Sequence, residues 1–501
     1  MLTANSSDNT SSFNRTGSSN YLTARPCAVA SACVMVIASG CGGDHRDSNH
    51  PPPPPASTTV AVVDGARYAP QLTGTWRVLG QGRYLAFGAE GLRQYFETAS
   101  DCYATADTVD PAELAGATAT GQLTQPGGQV ELFSVPGTPV EMRLQRVDAL
   151  PARCTAAAPS GAVATARVLC ETLQERYPFF SERRIDWAGR CAALQAAAAQ
   201  RPSEAALETA LIEALDGFDD EHVSLHHVER GQLLWAAAAP TTVLLKQAFG
   251  AQDEVGDFDD FYTAWLARNQ QAAAARLTER HEALGGAVVW GRLPGNIGYL
   301  SITRMAGYEE GAGPAREMQL AGEEMDRVVA ALADTRAMIV DVALNQGGLD
   351  LVSGVLASRF ADRRRLAFVT TMKQPEGSPA RDWHIEPGGP RQYLKPIYLF
   401  TSEQTISAGE TFVLMMRTLP HVRQAGQNTA GALSDVMGKL LPGPYVVGFP
   451  YQINRDPNGV LFEGPGIVPH LPITVFDPAD PAMLESGHRK ALSALLARIG
   501  N

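Results

Sequence analysis

The chain has 501 residues, 45% of them hydrophobic and 19% charged, with a formal net charge of −12. That length accommodates roughly two to four domains and a sizeable core, which excludes a disordered, fibrous or collagen-like chain. The acidic balance, 53 acidic against 41 basic side chains, excludes the basic stripe of a nucleic-acid binder, so no nucleic acid is expected as partner.

Residues 1–24 are polar, and Arg25 then precedes an apolar run from Ala28 to Gly40, followed by Cys41. A positive flank, a short apolar run and small residues at a cut site describe a secretory signal peptide over residues 1–40. The run is too short to span about 30 Å of bilayer hydrocarbon. Cys41, after Ala38-Ser39-Gly40, resembles the cysteine of a bacterial lipobox, which is acylated and becomes the mature amino terminus. The expectation is a lipoprotein of the cell envelope facing the periplasm, or a secreted protein, touching membrane by its lipid anchor only. Residues 41–66, with Pro51 to Pro55 consecutive, read as a stiff Pro-rich linker.

Cys27 and Cys33 fall within the signal, leaving Cys102, Cys154, Cys170 and Cys191 beside the anchor cysteine. An even number in an exported chain allows two disulfides. Chain organisation favours Cys102–Cys154 and Cys170–Cys191, with four free thiols as the alternative. No CxxC or HExxH pattern occurs, so neither a metal site nor a cofactor is expected.

Residues 67–160 carry short alternating runs such as Thr75–Leu79, Tyr84–Phe87, Gln129–Phe133 and Val140–Leu144, which predict a small antiparallel β domain. Residues 161–284 predict a helical part and cap, with helical spacing over 164–175, 186–200, 203–216 and 257–284. Ser203 stands as a cap before Glu204. From 285 to 478 strands and helices alternate: Ile297–Ile302, helix 314–334, Ala337–Val342, helix 350–361, Ile397–Phe400, helix 408–419. That order predicts an α/β core with crossover connections, and residues 479–501 add a carboxyl-terminal helix.

Three stretches carry candidate chemistry. Ser407 stands between a buried strand and a helix, at the sheet edge where α/β folds place ligands. There the helix amides can stabilise an oxyanion, although a plain capping serine would read the same way. Asp341 to Gly348 is a strand opening into Gly347-Gly348, which either presents backbone amides or merely makes a tight turn. His222 follows Asp219-Asp220-Glu221 and is one histidine of ten. His226 and His227 stand close by, with no third metal ligand near them in sequence.

Taken in order, five segments resemble the serine peptidases that include the tricorn core protease and the C-terminal processing (tail-specific) peptidases. They are Asp219 to Val223, Asp341 to Gly348, Thr405 to Glu410, Gly426 to Gly431 and Phe462 to Pro469. The resemblance covers roughly residues 164–475 and implies a ClpP/crotonase-like α/β peptidase core acting on polypeptides. Processing peptidases place a lysine base just after the fourth segment, where this chain has Ala432; Lys439 comes further along. The tricorn-type design uses histidine and glutamate instead. The resemblance therefore implies Ser407 as nucleophile, His222 as base and Glu463 as its orienting carboxylate, with Gly348 and Ala408 amides binding the oxyanion. Two positions depart from the family pattern: Ala343 replaces an Arg and His470 an Asp. They motivate the alternative of an inactive peptide-binding lipoprotein of the same fold.

Overall fold

The computed structural model describes residues 58–109, 111–114, 118–121, 128–135, 138–251, 257–373 and 380–500. The expected signal and Cys41 lie outside the described residues.

The amino-terminal sheet has eight antiparallel strands, running Thr58–Ala61, Thr118–Gly121, Gln129–Phe133, Met142–Val147, Gly74–Val78, Arg83–Gly88, Gly91–Glu97 and Cys102–Val109 across it. The period-2 alternation puts Trp76, Val78, Leu85, Phe87, Val130, Leu132 and Leu144 into one apolar cluster. Thr58–Ala61, a stretch expected to be linker, is the edge strand, paired with Thr118–Gly121. Its pairing partner lies far along the chain, so local composition could not signal it. Cys102 is bonded to Cys154, tying the other edge strand to a following 3-10 turn.

Three helices follow: α1 (Gly161–Arg176), α2 (Trp187–Ala199) and α3 (Glu204–Leu215). The Ser203 hydroxyl accepts from Ala206 N at the start of α3, as an N-cap should. Cys170 is bonded to Cys191, joining α1 to α2. Their apolar faces merge with Phe96 and Tyr103 of the first sheet and with Tyr445, Val447 and Phe449 of a four-stranded sheet. That second sheet runs Gln232–Ala236, Ser224–His227, Tyr445–Pro450, Val436–Leu440. Its pairing of Ser224–His227 with Tyr445–Pro450 holds the segment around His222 against the carboxyl-terminal part of the chain.

Two helices, α4 (Pro240–Gly250) and α5 (Phe258–Ala274), precede the core sheet. The helix expected to run to residue 284 stops at Ala274, and Thr278–Ala283 is instead an edge strand. It pairs with Val288–Leu293. Its Glu, Arg and His side chains are exposed, a pattern that suits a solvent edge and that looks helical when read without the partner strand.

Seven strands form the core sheet, in the order Thr278–Ala283, Val288–Leu293, Ile297–Ile302, Ala337–Asp341, Ile397–Thr401, Val422–Gly426 and Leu471–Pro472. The last five are parallel. Helices cover both faces, as parallel strands require. Met338, Val340 and Leu399 pack on α6 (Pro314–Ala331), α7 (Asp350–Ser358) and α8 (Ala408–Arg417). Their sequence neighbours Ile339 and Phe400 pack on α5 and α9 (Met483–Gly500). The loops that follow Ala337–Asp341, Ile397–Thr401 and Val422–Gly426 therefore meet at the carboxyl edge of the sheet. Among the described residues no helix is long and apolar enough to cross a membrane.

Candidate active site

Ser407 sits between Ile397–Thr401 and α8 with φ 58° and ψ −126°. A non-glycine residue in that region carries about 1–3 kcal/mol of strain, held by its surroundings. Here those surroundings are specific. Thr405 Oγ1 donates to Val342 O at 2.8 Å, Ile406 N to Asn345 O at 3.1 Å and Ser407 N to Ala432 O at 3.0 Å. The Ser407 side chain makes no capping hydrogen bond. Its backbone is also outside the extended region of an ordinary N-cap, so the capping alternative does not describe it.

The Gly347-Gly348 turn lies directly against this elbow. A Cβ on Gly347 would stand 2.6 Å from Ser407 Cβ, and Gly347 has φ +78°. The two glycines then divide the work. Gly347 N is spent on Asn345 Oδ1 at 2.9 Å. Among the described residues no protein acceptor takes the amide of Gly348 or of Ala408. Gly348 is held by a bridge to Met305, with Met305 N donating to Gly347 O and Leu349 N to Met305 O. Two backbone donors beside a serine hydroxyl at a helix amino terminus form an anion-binding corner.

The loop after Val422–Gly426 links the other expected residues. Ala432 O accepts from Ser407 N, and Leu433 N donates to Glu463 Oε2 at 3.0 Å. The Ser434 backbone reaches the His222 imidazole. Three consecutive residues thus touch Ser407, Glu463 and His222, which come from three separate segments of the chain. His222 Nδ1 and Glu463 Oε1 are both buried and without a hydrogen-bond partner. Burial lowers the His222 pKa, with Asp220 opposing and Arg183 adding to the drop. Such an imidazole is neutral and ready to accept a proton. Burial pushes the Glu463 carboxyl upward, reinforced by Asp220 and opposed by Arg183.

Glu410, one turn into α8, escaped the sequence reading as a functional residue. It is fully buried, and it accepts from Gly431 N and Ala432 N, each at 2.8 Å, and from Thr429 Oγ1. It therefore fixes the loop against the helix that starts at Ser407. Burial raises its pKa to about 7 against those hydrogen bonds. Its sequence signals were its place as the last residue of the Thr405–Glu410 segment and a carboxylate on a largely apolar helix.

Other positions resolve differently. Lys439 Nζ donates to Glu97 O at 2.9 Å, inside the joint with the amino-terminal sheet, and burial pulls its pKa to about 7. Ala343 is core, and its carbonyl accepts from the Ser402 hydroxyl. His470 Nδ1 accepts from Gln424 N at 3.1 Å and so helps dock the last strand. His227 finds Glu204 and Glu208 beside it, a trio with metal-ligand geometry that the sequence did not reveal. Arg230 pairs with both glutamates, which closes the trio as an ion-pair network between α3 and the following strand. A cavity of about 540 Å³ is lined by Arg183, Glu221, Glu403, Thr429 and Ala430 but not by Ser407, His222 or Glu463.

Residues 296–473 match the model of peptidase family S41. A protein of Parabacteroides merdae assigned as a peptidase is 22% identical, over 68% of this chain and 97% of its own, with a TM-score of 0.51. Mature CPAF complexed with lactacystin is 14% identical over 68% and 97%, with a TM-score of 0.48. The photosystem II D1 C-terminal processing protease is 13% identical over 66% and 97%, with a TM-score of 0.37. The first of these likenesses carries the fold. The family match spans the sheet and the loops that bear Gly348, Ser407 and Ala432, so residues 296–473 form a core of the S41 serine-peptidase type.

Proposed function

We infer that the chain is an exported endopeptidase that cleaves polypeptides through Ser407, His222 and Glu463. Ser407 Oγ attacks the scissile carbonyl carbon while His222 takes the hydroxyl proton. The oxyanion rests on the Gly348 and Ala408 amides, each worth roughly 2.7–4 kcal/mol of barrier. Collapse breaks the C–N bond, and His222 returns its proton to the leaving amine. A water, deprotonated by the same imidazole, then hydrolyses the acyl-enzyme and restores Ser407. Glu463 is the carboxylate assigned to hold the imidazole in the tautomer that accepts from Ser407; here Glu463 Oε1 and His222 Nδ1 each still lack a hydrogen-bond partner. The observation that carries this reading is the unspent Ser407 hydroxyl at φ 58°, flanked by two amides without protein acceptors.

A fluorophosphonate probe tests it. Covalent labelling of the wild type, lost in Ser407→Ala with the fold intact, is the expected result. Undiminished cleavage of an unfolded protein by Ser407→Ala would sink it and favour the inactive peptide-binding reading. The amino-terminal sequence supports a second part: acylation at Cys41 and residence on the envelope membrane, facing the periplasm. Cys41→Ser is then expected to move the protein from the membrane fraction to the soluble one; an unchanged distribution refutes the anchor.

A further inference from the structure

We propose that Arg183 is a positioning residue whose guanidinium locks the His222 segment onto the loop that holds Ser407. The inference rests on the Ser407–His222–Glu463 reading and extends it.

Arg183 lies in the stretch between α1 and α2, remote in sequence from all three residues. Its side chain is only 4% exposed. Nη2 donates to Gly431 O at 2.6 Å. Gly431 and Ala432 are the residues whose amides bind Glu410, and Ala432 O takes the Ser407 amide. On its other side, Arg183 Nε lies 3.1 Å from Asp220 Oδ2. Asp220 Oδ1 accepts from the backbone of His222 at 3.1 Å, and Oδ2 accepts from the Tyr177 hydroxyl at 2.8 Å. Nη2 also stands 3.9 Å from Glu463 Oε1. One guanidinium therefore connects the nucleophile's loop, the carrier of the imidazole and the carboxylate.

A purely structural arginine would be served by Asp220 alone. Here the short bond to Gly431 directs the group toward the reacting corner, and its charge has a second consequence. Asp220 and Glu463 are buried carboxylates in each other's field. The charged and titratable groups facing Arg183 are Tyr177, Asp219, Asp220, Glu463 and His222. Asp220 also faces His222, and Glu410 also faces Glu463. Removing the guanidinium takes away the charge that favours neutral imidazole and ionised Glu463. Both effects move the onset of activity to higher pH. Removing the Asp220 charge acts on both groups in the opposite sense.

The test is the pH dependence of fluorophosphonate labelling at Ser407 in the full chain, for wild type, Arg183→Lys, Arg183→Met and Asp220→Asn. Arg183→Met is expected to move the acid limb up by about one pH unit and to slow saturated labelling about 10²-fold, with probe affinity nearly unchanged. Arg183→Lys falls between, because it restores the charge without the fork that reaches Gly431 and Asp220 together. Asp220→Asn is expected to move the limb down. A folded Arg183→Met whose profile superimposes on the wild type overturns the proposal. If that variant does not fold, Arg183→Lys and Asp220→Asn decide, and shifts of the same sign or no shift overturn it. Absence of labelling in the wild type, with full activity in Ser407→Ala, removes the triad reading and this proposal together. Labelling at Ser407 with coincident profiles removes this proposal alone.

Discussion

Ser407 differs from an ordinary helix-capping serine in two measurable ways, its positive φ and its unspent hydroxyl. Ser407→Ala should therefore leave the unfolding midpoint nearly unchanged while the catalytic rate falls by about 10⁴–10⁶-fold. If the proposed triad holds, His222→Asn should cost a comparable factor, since a nucleophile and its base act as a unit. Gly347→Ala probes the elbow from the other side. A methyl group 2.6 Å from Ser407 Cβ must push the Ser407 side chain, and φ +78° strains the alanine as well. Activity should drop by at least about 10²-fold in a chain that still folds, because a displacement near 1 Å is that costly. Lys439 supplies the contrast between the two family designs. Its ammonium is bonded to Glu97 O and has no part in the proposed histidine-based mechanism, so Lys439→Met should keep activity within about threefold. Its folded pKa of about 7 lies below the ordinary 10.5. The unfolded chain thus binds more protons than the folded one between those values, and wild-type stability climbs as pH rises through that window. The stabilisation from Lys439→Met should consequently be larger at pH 6 than at pH 9, by about 2–3 kcal/mol, in urea unfolding at the two pH values.

At the scale of elements, the amphipathic helices were legible because each buries one stripe on a neighbour in the same half of the chain. Residues 314–334, 350–361 and 408–419 were expected, and α6, α7 and α8 begin at the expected residues and end a few residues early. Thr278–Ala283 was not legible, since an edge strand with charged side chains lacks the alternation that marks a half-buried one. The two disulfides act between elements. Cys102–Cys154 closes a separation of 52 residues and Cys170–Cys191 one of 21. Chain-entropy arguments value such loops at about 4 and about 3 kcal/mol. The double variants Cys102→Ala/Cys154→Ala and Cys170→Ala/Cys191→Ala should lose stability in that order, read as urea midpoints without reductant.

Over the whole molecule, the carboxyl-terminal helix closes the second face of the core sheet. His488 of α9 meets Asp341 Oδ2 at 2.8 Å, and Tyr299 donates to the same oxygen at 2.6 Å. Trp265 Nε1 of α5 donates to Leu484 O at 2.8 Å. Asp341 belongs to the segment that ends in Gly347-Gly348, so the helix braces the strand that leads to the proposed oxyanion corner. His488→Ala leaves that buried carboxylate one partner short and should cost about 1–3 kcal/mol, measured by thermal unfolding. An unchanged midpoint would show that the helix contributes through apolar packing alone.

Strand–helix order in the core, the small β domain and the place of Ser407 at a strand–helix junction are legible in the order of residues alone. Those features are written in periodicity and turn residues, which act over a few neighbours. The ordered motifs also indicated the family. What each group faces is set by the packing of distant segments. It spent the Gly347 amide and left that of Gly348, sent Lys439 to the joint with the amino-terminal sheet, and closed the His227 cluster with Arg230. It also brought Arg183, Asp220, Glu410 and Glu463 around one short loop. These are contacts between segments far apart in the chain. Burial and the field of neighbouring charges, not local propensity, set what such groups can do.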